Sequence, residues 1–538
     1  MSDRLRVPKL TGADVELGNF IEGDPRAAST APVAARLVIA AIRARLGLAP
    51  PAGTTLDGGK NPHDHDRVFL GTLNSGCYYI DADHAEGCLP ETLSAWDHVA
   101  WWQAMLRIAQ RARDDVNAML PTGQVLQLLA DNSDGVVSYG AHLNVLVSRP
   151  TWEDIAHRKA HHAAFLAAFQ VSSIVITGAG KVGADNSAAA VHFQLAQRAD
   201  WFESMTGPQT TYHRPLVNTR DEPLCGRGTR ATPARARLHC IFFDTTLSQV
   251  ATLLRVGMMQ LVLAMMEGGH IDVALTLDDP LGAVRAWSHD VTLTATARGM
   301  DGQELTALEM QRRFWEMAQR FVASGEAAEI VPRAEELVAL WDETLCLLER
   351  RDWAALARRL DWVLKLGCIE RALASDPSLA WDSPEVRLLA HQYASLDVER
   401  GLYWHFARAG LLDEVATEEQ VRHAVSHPPT DTRAHLRGQL QRRFGHAVER
   451  VDWDHIVVRL SDRDGTTSSW RVDLPDPLDN GCAALARSAA PHGDIASLLQ
   501  ELGAVREAPA VAVKWRVAPG DVARIVAAVA GEIDHGDY

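Results

Sequence analysis

The sequence has little positive charge compared with its negative charge. Against 53 Lys and Arg residues stand 69 Asp and Glu residues, which gives a formal net charge of −16 and a pI of about 5.7. A protein that binds nucleic acid or an anionic membrane needs a dominant basic face. We therefore expect neither nucleic acid nor a membrane as the main partner.

The chain also has few cysteines and no clear export or membrane signal. Its seven cysteines form no CxxC pair and no close Cys/His spacing, which indicates free thiols in a reducing compartment and no structural zinc site. The N-terminal "MSDRLRVPK" lacks the apolar core of a signal peptide. Arg255 and Glu267 interrupt the most apolar stretch, so a buried helix fits it better than a membrane span. These features predict a cytoplasmic protein.

What is present indicates a mixed fold. Apolar periodicity predicts helices over 33–47 and 94–119, the second capped by Ser94, and a mostly helical region from 304 to 426. Strands are predicted in "RVFLGTLNSGCYYID", "VVSYGAHLNVLVSR", "SSIVITG", "AVHFQLAQ" and "RLHCIFFD". Because strands and helices do not alternate regularly, we predict an α+β fold with a mostly antiparallel sheet.

One predicted boundary divides the chain into two domains. After "HPPTDTRAHLRGQLQRRFG" the sequence pattern changes from mostly helical to short strands. This change predicts a large domain over 1–445 and a small domain over 446–538. Within the large domain, "APPAGTTLDGGKNPHDHD" (49–66) has little apolar area to offset the entropy of ordering. We predict that this stretch is a mobile loop, which lies at the mouth of the site and gates access to it.

Carboxylates gather in two strand-like stretches. In "GADVELG", Asp14 and Glu16 are two residues apart, so their side chains share one face of a strand. In "YYIDADHAEG", Tyr79, Asp81 and Asp83 share one face if the strand continues to Asp83, and Glu86 follows three residues later. Carboxylates on one face repel each other unless a cation lies between them, and magnesium prefers such oxygen ligands. A metal or proton-transfer site is one interpretation, and a solvated strand face with an acidic turn is the other.

Two further motifs can bind phosphate. "SYGAHLNVLVSR" places His142 and Asn144 two apart in an apolar strand, where buried polar groups need partners. They are either satisfied core residues or donors to phosphate or substrate oxygens. In "VNTRDEP", Arg220 can clamp a phosphate with two hydrogen bonds, or it belongs to a charged loop that ties itself together.

A dinucleotide-binding fold is an alternative interpretation. "SSIVITGAGKVG" combines a predicted strand with G-x-G-x-x-G, and Asp200 follows about twenty residues on. The segment after the glycines contains a β-prone run rather than an amphipathic helix, and further βα units are missing from the predicted elements. This alternative predicts binding of NAD and not of ATP.

Four motifs in this order resemble one known family. "GADVELG", "YYIDADHAEGCLPE", "YGAHLNVLVSR" and "QRADWFESMTGPQTTYHRPLVNTRDEP…RARLHCIFFD" are similar to the Pup ligase and Pup deamidase/depupylase family, which attaches or removes the small protein Pup. The resemblance covers roughly residues 7 to 500. It implies a glutamine-synthetase-like domain, in which a curved antiparallel sheet with packed helices holds ATP and Mg²⁺, and a small C-terminal α/β domain.

The resemblance also implies roles for particular residues. Asp81 stands at the catalytic position, and Asp14, Glu16 and Glu86 stand at the metal-binding positions. Seven residues stand where the family contacts the nucleotide: Tyr79, His142, Asn144, Arg220, His239, Arg433 and Trp453. The implied partners are a Pup-like protein or peptide with a C-terminal Glu or Gln, and pupylated proteins.

The sequence departs from the family pattern at several positions. Asp14 replaces a glutamate, Leu143 replaces the acid of H-E-N, and Leu224 follows D-E-P where a histidine is expected. We favour the deamidase/depupylase direction, in which an amide or isopeptide at the terminal side chain is hydrolysed. The alternatives are a ligase that forms an isopeptide through a glutamyl phosphate, a carboxylate-amine ligase for another peptide or small acid, and an inactive nucleotide-binding regulatory homologue.

Overall fold

The computed structural model describes residues 6–26, 30–48, 65–224, 234–445, 447–461, 466–487, 499 and 502–506. Its strands are β1 (Thr11–Glu22), β2 (His65–Phe69), β3 (Cys77–Asp81), β4 (His84–Cys88), β5 (Val125–Leu129), β6 (Ala141–Ser148), β7 (Lys181–Val182), β8 (Phe193–Gln194), β9 (Phe202–Gly207), β10 (Arg214–Asn218), β11 (Arg235–Cys240), β12 (Thr296–Arg298), β13 (Glu304–Thr306), β14 (Val448–Val451), β15 (His455–Ser461), β16 (Thr467–Asp473) and β17 (Val505–Arg506). The stretch 49–64 of the predicted loop lies outside the described residues, and His65 already belongs to β2.

The main sheet has seven strands, in the order β11-β6-β1-β4-β3-β2, with β5 also paired to β1. Every pairing in it is antiparallel. The central strand β1 alternates in burial, with Ala13, Val15 and Leu17 on the core side and Asp14 and Glu16 on the other. One face of the sheet is therefore core, and the opposite face carries polar groups.

The helices over 31–45, 95–117 and 249–268 pack against strands of this sheet. The described residues contain sixteen α-helices. They are α1 (Ala31–Arg45), α2 (Ala95–Asn117), α3 (Arg149–Glu153), α4 (Ala160–Ser172), α5 (Ile174–Thr177), α6 (Gln249–Gly268), α7 (Pro280–Ser288), α8 (Ala307–Ala323), α9 (Ala334–Glu349), α10 (Trp353–Leu356), α11 (Asp361–Ser375), α12 (Pro384–Ala394), α13 (Leu402–Arg408), α14 (Glu418–Ser426), α15 (Arg433–Phe444) and α16 (Cys482–Arg487). As predicted, Ser94 caps α2 by accepting a hydrogen bond from the Asp97 amide.

In the part of the chain that the structure describes, two helical segments are long and apolar enough to cross a membrane. They are Ala160–Thr177 and Gln249–Gly268, and 83% and 94% of their apolar windows are buried inside the protein. Such burial is typical of the central helices of a folded core, as the sequence predicts for the second segment.

The prediction of a strand in "SSIVITG" is wrong. α4 ends at Ser172, and α5 follows directly, so helix precedes the glycine motif. These residues are buried on all sides, and their apolar pattern therefore lacks the 3.6-residue period that marks a surface helix. "AVHFQLAQ" is extended only at Phe193–Gln194, and β11 ends at Cys240. Without a strand before G-x-G-x-x-G, the dinucleotide-binding alternative fails.

The C-terminal part has its own small core. β14, β15, β16 and β17 form an antiparallel sheet, and a second hydrophobic cluster joins Ile456, Val458 and Val472 to Leu436 and Leu440 of α15. The small core thus begins before residue 445. The exact domain boundary remains a prediction.

Candidate functional site

Three carboxylates converge on the polar face of the main sheet. Glu86 of β4 lies directly opposite Glu16 of β1 on one side and Tyr79 of β3 on the other. Asp81 ends β3, where Ala82, with a φ of 51°, turns the chain back into β4. Carboxylate oxygens of Glu16, Asp81 and Glu86 lie within 4.8 Å of one another. The prediction that Asp83 shares this face with Tyr79 and Asp81 is wrong, because the strand ends at Asp81 and Asp83 is exposed on the turn.

Glu86 lacks full compensation from the protein itself. Its Oε1 accepts a hydrogen bond of 2.6 Å from the Tyr79 hydroxyl, while its buried Oε2 has no hydrogen-bond partner among the described residues. Burial raises the pKa of Glu86 well above its ordinary value, and the charges of Asp14, Glu16 and Asp81 raise it further. A buried carboxylate of this kind either keeps a proton or faces a cation. The group therefore fits a divalent cation with oxygen ligands.

Glu16 is held in place from two sides. Its Oε1 accepts a 2.7 Å hydrogen bond from the Gly140 amide, and its Oε2 lies 3.1 Å from Nδ1 of His84. Burial opposes ionisation of Glu16, but the close contact with His84 and its charge outweigh burial and lower the pKa of Glu16. The His84 ring in turn stacks on Tyr139, with the ring centroids 4.3 Å apart. Glu16 is thus an oriented carboxylate whose lowered pKa suits it to bind a cation.

Asp14 belongs to a second group on the same face. Its carboxylate lies 2.8 Å from Nδ1 of His142 and accepts a hydrogen bond from Asn144. Ligand atoms of Asp14, His142 and His239 also lie within 4.8 Å of one another. The structure therefore brings Asp14, predicted as a metal ligand with Glu16 and Glu86, into hydrogen-bonding contact with two of the predicted nucleotide-binding residues.

A guanidinium completes this second group. Arg237 donates a 2.8 Å hydrogen bond to Oδ1 of Asn144, and Nδ1 of His239 lies 2.7 Å from the same oxygen. Burial and the charge of Arg237 lower the pKa of His239 well below its ordinary value, so its ring is neutral. Sequence reasoning missed Arg237, although its spacing of two from His239 in β11 places both on one face.

Arg220 lies beside an acid of its own loop. Its Nε is 3.1 Å from Glu222, and a nitrogen of Arg237 is 3.2 Å from the same carboxylate. The charged-loop interpretation of "VNTRDEP" thus describes the observed contacts. Phosphate binding by Arg220 would require Glu222 to be displaced or shared.

Arg433 and Trp453 have different surroundings. Arg433 is 4% exposed, and it donates to Glu91 at 2.7 Å and to the carbonyls of Leu224 and Leu474. These contacts favour a structural role for Arg433, in which it holds α15 to the segment of Glu91, over the predicted contact with the nucleotide. The Trp453 ring is half-buried and packs edge-on against Phe69 at 5.2 Å.

Fold and site together define a class: an α+β protein whose antiparallel sheet presents a carboxylate cluster suited to a divalent cation. The chain belongs to the Pup-ligase protein family, whose sequence model matches residues 9–457. This assignment confirms the resemblance that the four motifs indicate.

Named relatives cover most of the chain. A depupylase from Acidothermus cellulolyticus is 36% identical over 412 residues, 75% of this chain and 77% of the relative. A Pup deamidase/depupylase from Mycolicibacterium smegmatis is 37% identical over 420 residues, 77% and 80% of the two chains. A Pup–protein ligase from Acidimicrobium ferrooxidans is 35% identical over 420 residues, 76% and 86%.

Two solved structures share the fold. The complex of Pup with its ligase PafA matches with a TM-score of 0.73 at 23% identity, covering 92% of each chain. PafA in complex with ADP matches with a TM-score of 0.66 at 25% identity, covering 82% of this chain and 90% of that one. These matches confirm the predicted fold class.

Proposed function

We propose that this protein is an ATP-dependent enzyme of the Pup-modifying type, and that it hydrolyses an amide or isopeptide bond at the C-terminal Gln or Glu side chain of a Pup-like protein. The single observation that carries the proposal is the convergence of Glu16, Asp81 and Glu86 within 4.8 Å on the polar face of the sheet. The relatives named depupylase and Pup deamidase/depupylase, at 36% and 37% identity, support the hydrolytic direction.

We assign Asp81 as the general base. It is the half-buried carboxylate at the end of β3, where the sheet opens toward the turn. There it can take a proton from an attacking water or amine and return it to the leaving group. The Tyr79 hydroxyl holds Glu86, and the His84 ring holds Glu16. These contacts orient the two acids for binding rather than for proton transfer.

The cofactors proposed are ATP and Mg²⁺. Glu16 and Glu86 would hold the metal, and the bound cation would neutralise phosphate charge and polarise the reacting carboxyl group. Beside Asp14 lies a group of side chains with hydrogen-bond donors, which can bind oxygens of the nucleotide or the substrate. The group consists of His142, Asn144, Arg237 and His239. The relative solved with ADP supports nucleotide use. A cytoplasmic location stays a prediction.

A ligase is the second candidate. The named Pup–protein ligase is 35% identical to this chain, almost as similar as the hydrolases, and both solved structures are of a Pup ligase. The same residues serve both directions, because a base that deprotonates an amine for bond formation also activates water for cleavage.

A reporter assay distinguishes these candidates. Pup carrying a fluorophore in isopeptide linkage to its C-terminal side chain is incubated with the protein, ATP and Mg²⁺. We expect release of the fluorophore, which EDTA abolishes. Joining of Pup ending in Glu to a protein lysine without release would instead establish the ligase. Neither reaction, with ATP binding retained, would indicate an inactive homologue.

A further inference from the structure

Tyr139 touches both groups that hold Glu16. It lies in the loop between β5 and β6 and is 5% exposed. Its ring stacks on His84, with the ring centroids 4.3 Å apart, and Nδ1 of His84 lies 3.1 Å from Oε2 of Glu16. The next residue is Gly140, whose amide donates the 2.7 Å hydrogen bond to Oε1 of Glu16. One side chain and one backbone amide therefore connect Tyr139 to Glu16.

The Tyr139 side chain is itself anchored on a buried acid. Its hydroxyl donates a hydrogen bond to Oδ1 of Asp131, which is 4% exposed, and Nδ1 of His391 in α12 lies 3.2 Å from Oδ2 of the same carboxylate. Burial and the charge of Asp131 raise the pKa of Tyr139 well above its ordinary value, so the hydroxyl keeps its proton and stays a donor. Both oxygens of Asp131 thus have partners, and the Tyr139 ring has a fixed orientation.

The backbone of Tyr139 is fixed by hydrogen bonds as well. Its amide donates to the carbonyl of Asn132 at 3.2 Å, and its carbonyl accepts a 3.1 Å hydrogen bond from the Asn132 side chain. The buried Asn132 side chain accepts in turn from the Thr245 amide at 2.6 Å. These hydrogen bonds close the loop just before Gly140, and they therefore set the direction of its amide.

Two glycines leave the room that this arrangement needs. A Cβ atom on Gly18 of β1 would lie 2.6 Å from the Tyr139 hydroxyl and 3.0 Å from Oδ1 of Asp131. A Cβ atom on Gly140 would lie 2.8 Å from Oε1 of Glu16. Contacts this short displace one of the two atoms, so a larger residue at either position would disturb the arrangement.

We propose that Tyr139 is a positioning residue, which holds the Glu16 carboxylate in place for the cation through the His84 ring and the Gly140 amide. The inference rests on the proposed function, in which Glu16 binds the metal. Groups that orient a metal ligand contribute about 10–100-fold to metal affinity. A core tyrosine that only stabilises the fold would contribute nothing to it.

Calorimetric titration of the full chain with Mn²⁺ tests the proposal. Tyr139→Leu removes the ring and the hydroxyl, and it should lower the Mn²⁺ affinity by about 10- to 100-fold. Tyr139→Phe keeps the ring beside His84 and loses the anchor on Asp131, so its loss should stay below about tenfold. Tyr403→Leu, which removes another buried tyrosine in α13, is the matched control and should bind Mn²⁺ like the wild type.

Gly18→Ala tests the anchor without replacing Tyr139. The added methyl group crowds the Tyr139 hydroxyl and should lower the Mn²⁺ affinity by about tenfold. Tyr139→Phe in the same chain removes the crowded hydroxyl, so the double variant should bind Mn²⁺ as well as Tyr139→Phe alone. Independent effects would add instead, and additive losses would contradict the proposal.

Urea unfolding of the same samples separates positioning from stability. Tyr139→Leu and Tyr403→Leu should both lower the free energy of unfolding, because each leaves a cavity in a buried place. An unchanged Mn²⁺ affinity in Tyr139→Leu, or an equal loss in Tyr403→Leu, would make Tyr139 an ordinary core residue and overturn the inference. If Tyr139→Leu fails to fold, Tyr139→Phe and Gly18→Ala carry the test.

The wild type distinguishes this inference from the proposed function. A wild type that binds no Mn²⁺ would refute the proposed metal site together with this inference. A wild type that binds Mn²⁺, with a Tyr139→Leu variant that binds it equally well, would refute this inference alone.

Discussion

The hydroxyl of Tyr79 donates a 2.6 Å hydrogen bond to Oε1 of Glu86 across the β3–β4 pair. This hydrogen bond is made to one oxygen of the Glu86 carboxylate. The other oxygen, Oε2, is buried and has no hydrogen-bond partner among the described residues. The hydrogen bond from Tyr79 also opposes the rise in the pKa of Glu86 that burial and the neighbouring acids cause. Tyr79 therefore orients Glu86, the proposed metal ligand, and favours its ionised form.

Tyr79→Phe should weaken metal binding. The change removes the hydroxyl and keeps the ring, so Glu86 loses its orienting donor and holds its proton more tightly. Losing such an outer partner of a metal ligand costs about 10–100-fold in affinity. Calorimetric titration with Mn²⁺ or Mg²⁺ measures the effect.

The adjacent Tyr78 offers a matched control for that variant. Its hydroxyl donates to the Met105 carbonyl on the opposite, buried face. Tyr78→Phe should leave metal affinity unchanged and cost about 1 kcal/mol of stability. Equal metal affinity in the two variants would contradict the role given to Tyr79.

Glu91→Gln should destabilise the protein in a pH-dependent way. Burial raises the pKa of Glu91, but Arg437 and Arg433 outweigh this and lower it from 4.5 to about 2. The pKa of Glu91 is lower in the folded protein than in the unfolded chain. The ionised carboxylate therefore stabilises the fold fully above about pH 4.5, and this contribution is lost as the pH falls through about 2. Breaking such a buried pair costs about 3–5 kcal/mol at neutral pH.

Urea unfolding between pH 7 and pH 3 measures this dependence. Glu336→Gln removes an exposed ion pair with Arg333 and should have no measurable effect. A cost of Glu91→Gln that stays the same at every pH would show that the carboxylate charge is not what holds α15 to the main sheet.

Trp453→Leu should weaken binding of ATP and adenosine to the same extent. The half-buried ring stands beside Phe69, and stacking of a base on an aromatic side chain contributes about 1–3 kcal/mol. We expect a loss of roughly tenfold or more in both affinities. Trp353→Leu, at a residue that is 38% exposed, is the control. Unchanged affinities would move the nucleobase away from Trp453.

The hairpin of the site could be predicted because its information is local. Tyr79, Asp81 and Glu86 stand within eight residues, and the two-residue period of strands fixes which side chains share a face. The α+β class followed from the irregular order of strands and helices. In "SSIVITG" the same reasoning failed, because complete burial removes the periodicity that separates helix from strand.

Contacts between distant segments could not be predicted. Glu91 and Arg433 are 342 positions apart, and Arg237 and Asn144 are 93 apart. The contact of Arg433 with Glu91 cannot be read from its motif, and its role as a nucleotide ligand stays a prediction. The contacts of Arg67 with Tyr79 and Asp452 depend likewise on how β2 and the β14–β15 loop meet.

The most direct test of the central claim measures ATP binding and hydrolysis on one sample of Asp81→Asn. Asparagine keeps the shape of the side chain and loses the base. We predict that release of a reporter from its isopeptide linkage to Pup falls by about 10²–10⁴-fold, while ATP affinity changes little. Activity within a few-fold of the wild type, or a loss of ATP binding equal to the loss of activity, would contradict the assignment of Asp81 as the general base.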